Sequence, residues 1–160
     1  MSEVAQRLCG RAGYSILELL TAVAIFGILA AAGLPHVDTR RQDINNATKQ
    51  VVADYRWART RAITSGVHFA MKWTGTNAYE VDRLKQNADG SWSLDKTVKT
   101  ISLPSTILRT GWPDSVEFNT RGMMLSSNAM VTQRLWDGVS NYATWRDVAI
   151  WPSGQTSVYQ

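Results

Sequence analysis

Glu18 is the ionisable residue whose surroundings constrain its chemistry most. It is the only formal charge between residues 14 and 37, inside a run of otherwise apolar, small or neutral residues. On insertion scales a carboxylate at the centre of such a helix costs about 2.5 to 3.5 kcal/mol, so a charge kept there asks for a cationic partner. The other reactive types do not assemble into a catalytic set. His36 and His68 are the only histidines and Cys9 the only cysteine, so the chain lacks the usual ligand spacing of a metal site. Asp54, Glu80, Asp82 and Asp89 stand at intervals that pair no acid with a base. No G-x-S-x-G run, glycine-rich phosphate loop or H-E-x-x-H run occurs. The expectation is a protein that is not an enzyme and holds no metal or cofactor.

Two further groups of residues could recognise a partner. The seven tryptophans are Trp57, Trp73, Trp92, Trp112, Trp136, Trp145 and Trp151. In a small β-rich domain most such rings pack in the core or across strands, with stacking on sugars or bases as the alternative. Arg40, Arg41, Lys49, Arg56, Arg59 and Arg61 recur along one predicted helix, an arrangement that reads first as a solvated face. Within that series Arg56, Arg59 and Arg61, with the turn residue Arg121, are the candidates for a weak nucleic-acid contact. The net charge is +4, and without Glu3, Arg7 and Arg11 of the first thirteen residues it is +3. That is a mild excess, not a nucleic-acid footprint. Three or four phosphate contacts would give a log-log salt slope of only about −3, so DNA is not expected as the main partner.

The elements that must position these residues follow from periodicity. Residues 14–37 would make a helix of about 36 Å, enough for a hydrocarbon core of about 30 Å. An ordinary secretory signal peptide is the plainer reading, with Arg7 and Arg11 as its basic region and Ala30, Ala31 and Ala32 as a small-residue cleavage site, but it has no use for Glu18. Pro35 removes one helical hydrogen bond and predicts a kink or break. From 38 to 65, Ile44, Ala47, Val51, Tyr55, Ala58 and Ala62 fall at helical spacing, and the amphipathic helix should stop near Ser65 and Gly66. After that the period becomes two, predicting strands over 67–73, 79–84, 92–103, 115–119, 146–151 and 156–159. The expected class is α+β: a long N-terminal helix, one half for the membrane and one half amphipathic, packed on an antiparallel β head.

The run Arg11, Ala12, Gly13, Tyr14, Ser15, Ile16, Leu17, Glu18, ahead of an apolar helix and Pro35, resembles the class III signal of type IV prepilins and type II secretion pseudopilins. Residues 51–63 with the strand that follows, and the stretch from Val116 to Gly122, are similar to the GspH/FimT group of that family. The resemblance implies a leader 1–13 removed by a prepilin peptidase after Gly13, and an N-methylated Tyr14 as new N-terminus. It implies a membrane and assembly helix 14–37, and a periplasmic head 38–160 with its helix over 38–65 and its β-rich part over 66–160. Glu18 would pair with the Tyr14 amine of a neighbouring subunit, which sets register between apolar helices. The partners implied are the peptidase, other pilin-like subunits and the bacterial inner membrane, crossed once before incorporation into a pilus or pseudopilus. The family's first mature residue is usually Phe, where this chain has Tyr14. A mature chain without cysteine points to a minor pilin or pseudopilin, in priming or tip assembly, over a main shaft subunit. The alternatives are a DNA-uptake or adhesion pilin of the same fold and a secreted soluble protein. Against DNA uptake, residues 151–160 hold no Arg or Lys, where the FimT branch carries arginines.

Overall fold

The computed structural model describes residues 15–33, 39–138 and 144–160, so Gly13, Tyr14, Pro35 and His36 lie outside the described residues. The chain divides into two compact units, Met1–Val37 and Asp38–Gln160.

In the first unit, α1 runs over Ile16–Gly33. Ser15 caps it: its Oγ accepts from the Leu17 amide at 3.3 Å and its carbonyl from the Glu18 and Leu19 amides at 2.9 and 3.1 Å. Leucine and alanine supply the propensity, and the large side chains from Ile16 to Ile28 are exposed around the helix. The described part of α1 has 18 residues, about 27 Å, and residues 14 and 34–37 of the helix expected over 14–37 lie outside the described residues. Among the described residues no helix is long and apolar enough to cross a membrane.

The second unit begins with α2, Thr39–Ser65. Ile44, Ala47, Val51, Tyr55, Ala58 and Ala62 are all buried, as their spacing predicts. The helix stops where Gly66, at φ 65°, takes a left-handed conformation and its amide reaches the Ala62 carbonyl at 3.1 Å. Eight strands follow: β1 Phe69–Trp73, β2 Ala78–Gln86, β3 Trp92–Ser102, β4 Ile107–Trp112, β5 Ser115–Phe118, β6 Val131–Asp137, β7 Trp145–Ile150 and β8 Thr156–Tyr159. They form two antiparallel sheets, in the orders β3-β2-β1-β5 and β4-β6-β7-β8. α2 packs against strands of both, and one core cluster joins Tyr55 of the helix to Met71 and Phe118 of the first sheet and Leu135 and Val148 of the second.

The sequence pattern omitted β4 and β6, half of the second sheet. The inward positions of β6 are Val131, Gln133, Leu135 and Asp137, so half of its buried face is polar and the alternation does not register as hydrophobic. β4 likewise turns Arg109 inward beside Ile107. Arg109 and Gln133 share one network, in which Arg109 Nε donates to Gln133 Oε1, Gln133 Nε2 donates to the Pro113 carbonyl at 2.7 Å and Arg109 pairs with Asp114 at 2.6 Å, while Asp137 faces Arg40 at 3.9 Å. The Arg109 guanidinium also lies 5.3 Å from the centre of the Trp73 ring. Five of the seven tryptophans pack: Trp73 in the core, Trp57 edge-on to Phe69, Trp92 stacked on His68, and Trp136 opposite Trp145 across β6 and β7. Trp112 and Trp151 are exposed.

Candidate functional site

Glu18 falls in the first turn of α1, three residues after its cap, where helix dipoles favour a carboxylate. Its backbone is engaged at both ends, the amide with Ser15 and the carbonyl with the Thr21 hydroxyl at 2.9 Å. Among the described residues no cation pairs with its carboxylate. Ser15-x-x-Glu18 has the order of a capping box, a local signal that accounts for where α1 starts without reference to function.

The head's polar chemistry is divided between a buried clamp and an open cleft. In the clamp, Asp54 of α2 is buried and accepts hydrogen bonds from Tyr79 Oη, Gln50 Nε2 and Lys99 Nζ, each at 2.8 Å. The Lys99 ammonium lies 4.2 Å from the centre of the Trp57 ring. Burial, then the hydrogen bond to Asp54, holds the Tyr79 phenol well above its usual range. Burial alone suffices to push Tyr55 up to about 12, against a smaller opposing effect of the Trp73 hydrogen bond. Both phenols are protonated at neutral pH, and their contacts with Trp73 and Asp54 tie α2 to the sheets. Asp82 accepts from Thr97 at 2.8 Å, and Asp89 sits in a turn where Ser91 donates to it and lowers its pKa. His68 meets Glu117 at 2.6 Å with its ring stacked on Trp92 at 3.7 Å. These contacts hold strands and turns in place and present no acid, base and nucleophile in one cleft.

The open cleft lies where α2 meets the chain from Gly154 to Ser157. It has a volume of about 420 Å³ and is lined by Arg56, Arg59 and Thr60 from the helix. Arg56 Nε donates to Thr156 Oγ1 at 3.1 Å, and Arg59 Nε to the Gly122 carbonyl at 3.0 Å. Gly154, at φ 77°, lets the turn press onto this arginine: a Cβ there would land on the Gly122 carbonyl and 2.7 Å from Arg59 Nε. Arg61 is elsewhere. It lies over the Trp57 ring at 5.3 Å, in a different cleft with Arg83 and Lys96. The structure therefore brings together only two of the three arginines that sequence spacing grouped, because at 100° per residue Arg61 turns away from Arg59. It adds one cation that the sequence did not place beside them, Arg146 of β7, and brings in Lys49 of the same helical series. Lys49 and Arg146, with Arg56, border a neighbouring cleft of about 490 Å³.

Comparison with known proteins gives two independent likenesses. Residues 9–34 match the family model described as the prokaryotic N-terminal methylation motif, which covers Gly13, Tyr14 and Glu18. The fold is similar to that of the type IV minor pilin FimU of Pseudomonas aeruginosa strain PAO1, with a TM-score of 0.61 at 13% identity over 76% of this chain and 92% of that one. It is also similar to the minor pseudopilin EpsH of the type 2 secretion system of Vibrio cholerae, with a TM-score of 0.54 at 14% identity over 73% of this chain and 96% of that one. No curated protein gives a significant match. The α+β fold is thus the one found in a minor pilin and a minor pseudopilin, and it follows the methylation motif of prokaryotic prepilins.

Proposed function

We propose that this chain, a type IV pilin-like protein by its N-terminal motif and its fold, is a structural minor pilin or pseudopilin subunit. The observation that carries the reading is the coincidence of two unlike signals in one chain: a methylation motif over residues 9–34 and a head with the fold of FimU and EpsH. In this reading a prepilin peptidase cuts between Gly13 and Tyr14 and methylates the Tyr14 amine. The apolar helix then holds the protein in the inner membrane with its head in the periplasm, until the subunit joins a pilus or pseudopilus in priming or tip assembly. Ser15 starts α1 close behind the new amine, which puts Glu18 one turn into the helix, where the amine of a neighbouring subunit can reach it. Each charge lowers the cost of burying the other in an apolar bundle.

The test is the intact mass of the chain made with and without an active prepilin peptidase. Loss of residues 1–13 plus one methyl group is expected, and Gly13→Val should leave the leader attached. Cleavage after Ala32 would instead support an ordinary secreted protein and remove the assembly reading. Glu18→Val separates processing from assembly. It should insert more favourably by about 3 kcal/mol and be trimmed normally, yet enter filaments poorly.

A further inference from the structure

We propose that the cleft between α2 and the chain from Gly154 to Ser157 is a seat for a phosphomonoester, with the dianionic phosphate between Arg56 and Arg59 and the organic body in the neighbouring cleft. Charge is the first argument. Arg40, Arg83, Lys99, Arg109 and Arg134 each face a carboxylate within 4.0 Å, whereas Arg56, Arg59, Lys49 and Arg146 face none among the described residues. Orientation is the second. Both arginines of the cleft are tied through Nε, one to Thr156 Oγ1 and the other to the Gly122 carbonyl, so their terminal nitrogens remain for a ligand while the side chains are already ordered. An ordered guanidinium fork loses less rotamer freedom on binding an oxyanion than a free one does. Because Thr156 Oγ1 accepts from Arg56, its own proton is available to donate, and Ser157 and Gln155 line the same space.

The shape of the neighbouring cleft selects the ester. The two clefts share Arg56, and the second has Val52, Ala53 and Val158 among its lining, with Lys49 and Arg146 beside them. A group with a charged head and a small apolar body fits that order of surfaces. Two fixed guanidinium groups match a doubly charged head better than the single charge on each phosphate of a nucleic-acid backbone. Arg61, on another face of α2, does not extend the pair into a track. The seat is a property of the head and does not depend on the assembly reading.

The experiment titrates the full chain in neutral detergent with phenyl phosphate, followed by saturation transfer to the phenyl protons. Inorganic phosphate and a 12-base-pair DNA duplex serve as competitors. The second pKa of a phosphomonoester is about 6, so binding at pH 7.5 should exceed binding at pH 5.0 about tenfold. Inorganic phosphate should compete, but more weakly than phenyl phosphate competes with itself. Arg56→Gln should lower affinity about tenfold, the loss of one charge-assisted contact. Gln155→Glu, which puts a carboxylate in the cleft from an exposed position, should do the same without touching the packing of Arg59. Equal binding at both pH values, or binding unchanged in both variants, would overturn the proposal. So would a duplex that binds more tightly than phenyl phosphate and is not displaced by it, which would mark the seam as a polyanion surface instead.

Discussion

The two helices of this chain place apolar residues by opposite rules. α1 is apolar on every side, with Phe26 74% exposed and Ile16 80% exposed. α2 concentrates its apolar residues on one stripe, and Tyr55 in the middle of it is fully buried. The stripe of α2 is satisfied by two sheets of the same chain. The surface of α1 has no sidedness, so no single sheet face could cover it. An all-apolar helix of this kind needs a surrounding medium or several neighbours. In the proposed reading the contrast separates folding from assembly, with α2 contributing to the stability of the head and α1 to its attachment.

The largest effect that would sharpen this contrast comes from removing residues 1–37. The chain from Asp38 should change from detergent-dependent to freely soluble and monomeric, and still melt in one cooperative transition. Aggregation or a broad transition would show that the head leans on α1 or on a partner. Next in size is a matched pair of truncations. Tyr55→Ala should cost about 3 to 5 kcal/mol in denaturant unfolding of the head, since it empties a fully buried site edge-on to Phe118. Phe26→Ala should leave the same unfolding curve within about 0.5 kcal/mol. Equal losses in the two would break the comparison.

Alkaline titration gives a smaller effect. The Tyr55 phenol is raised from 10.0 to about 12 in the folded head. Its contribution is fully present below pH 10, and it is lost as pH rises from 10 through about 12, because the unfolded chain releases the proton first. The total is about 3 kcal/mol at most. Melting temperature should be level between pH 7 and 9 and then fall, and Tyr55→Phe should flatten part of that fall. The smallest of the four is Asp54→Asn, which keeps the size of the clamp but weakens the contacts from Lys99 and Tyr79. A loss of about 2 kcal/mol is expected. No loss would mean that helix-to-sheet attachment rests on apolar packing alone.

Much of this was readable from local pattern. The stripe of α2 and its stop at Gly66 needed only spacing and one glycine, and six strands followed from alternation and turn residues. β4 and β6 were not readable, because Arg109, Gln133 and Asp137 occupy buried positions. Their burial is tolerable only because polar partners reach them, some nearby, as Asp114 is for Arg109, and some far along the chain, Gln133 being 24 residues from Arg109. The candidate cleft is a similar case. Arg56 and Arg59 are neighbours by helical spacing, but Thr156 lies 100 residues from Arg56, and Gly122 lies 63 residues from Arg59.

By itself, then, the sequence determined what depends on neighbours a few residues apart: the motif around Gly13 and Tyr14, the charge of Glu18 in an apolar run, the apolar stripe and the change of period after Gly66. Helical and strand periodicity act over one or two turns, so one linear chain contains the whole signal. Only the tertiary structure decided that the head has two sheets, that a polar network fills part of the core, and that Arg56 and Arg59 meet Thr156 and Gly122 in one cleft. These depend on which distant residues supply the hydrogen bonds and the apolar cover, and a buried polar side chain reads as an exposed one until its partner is known.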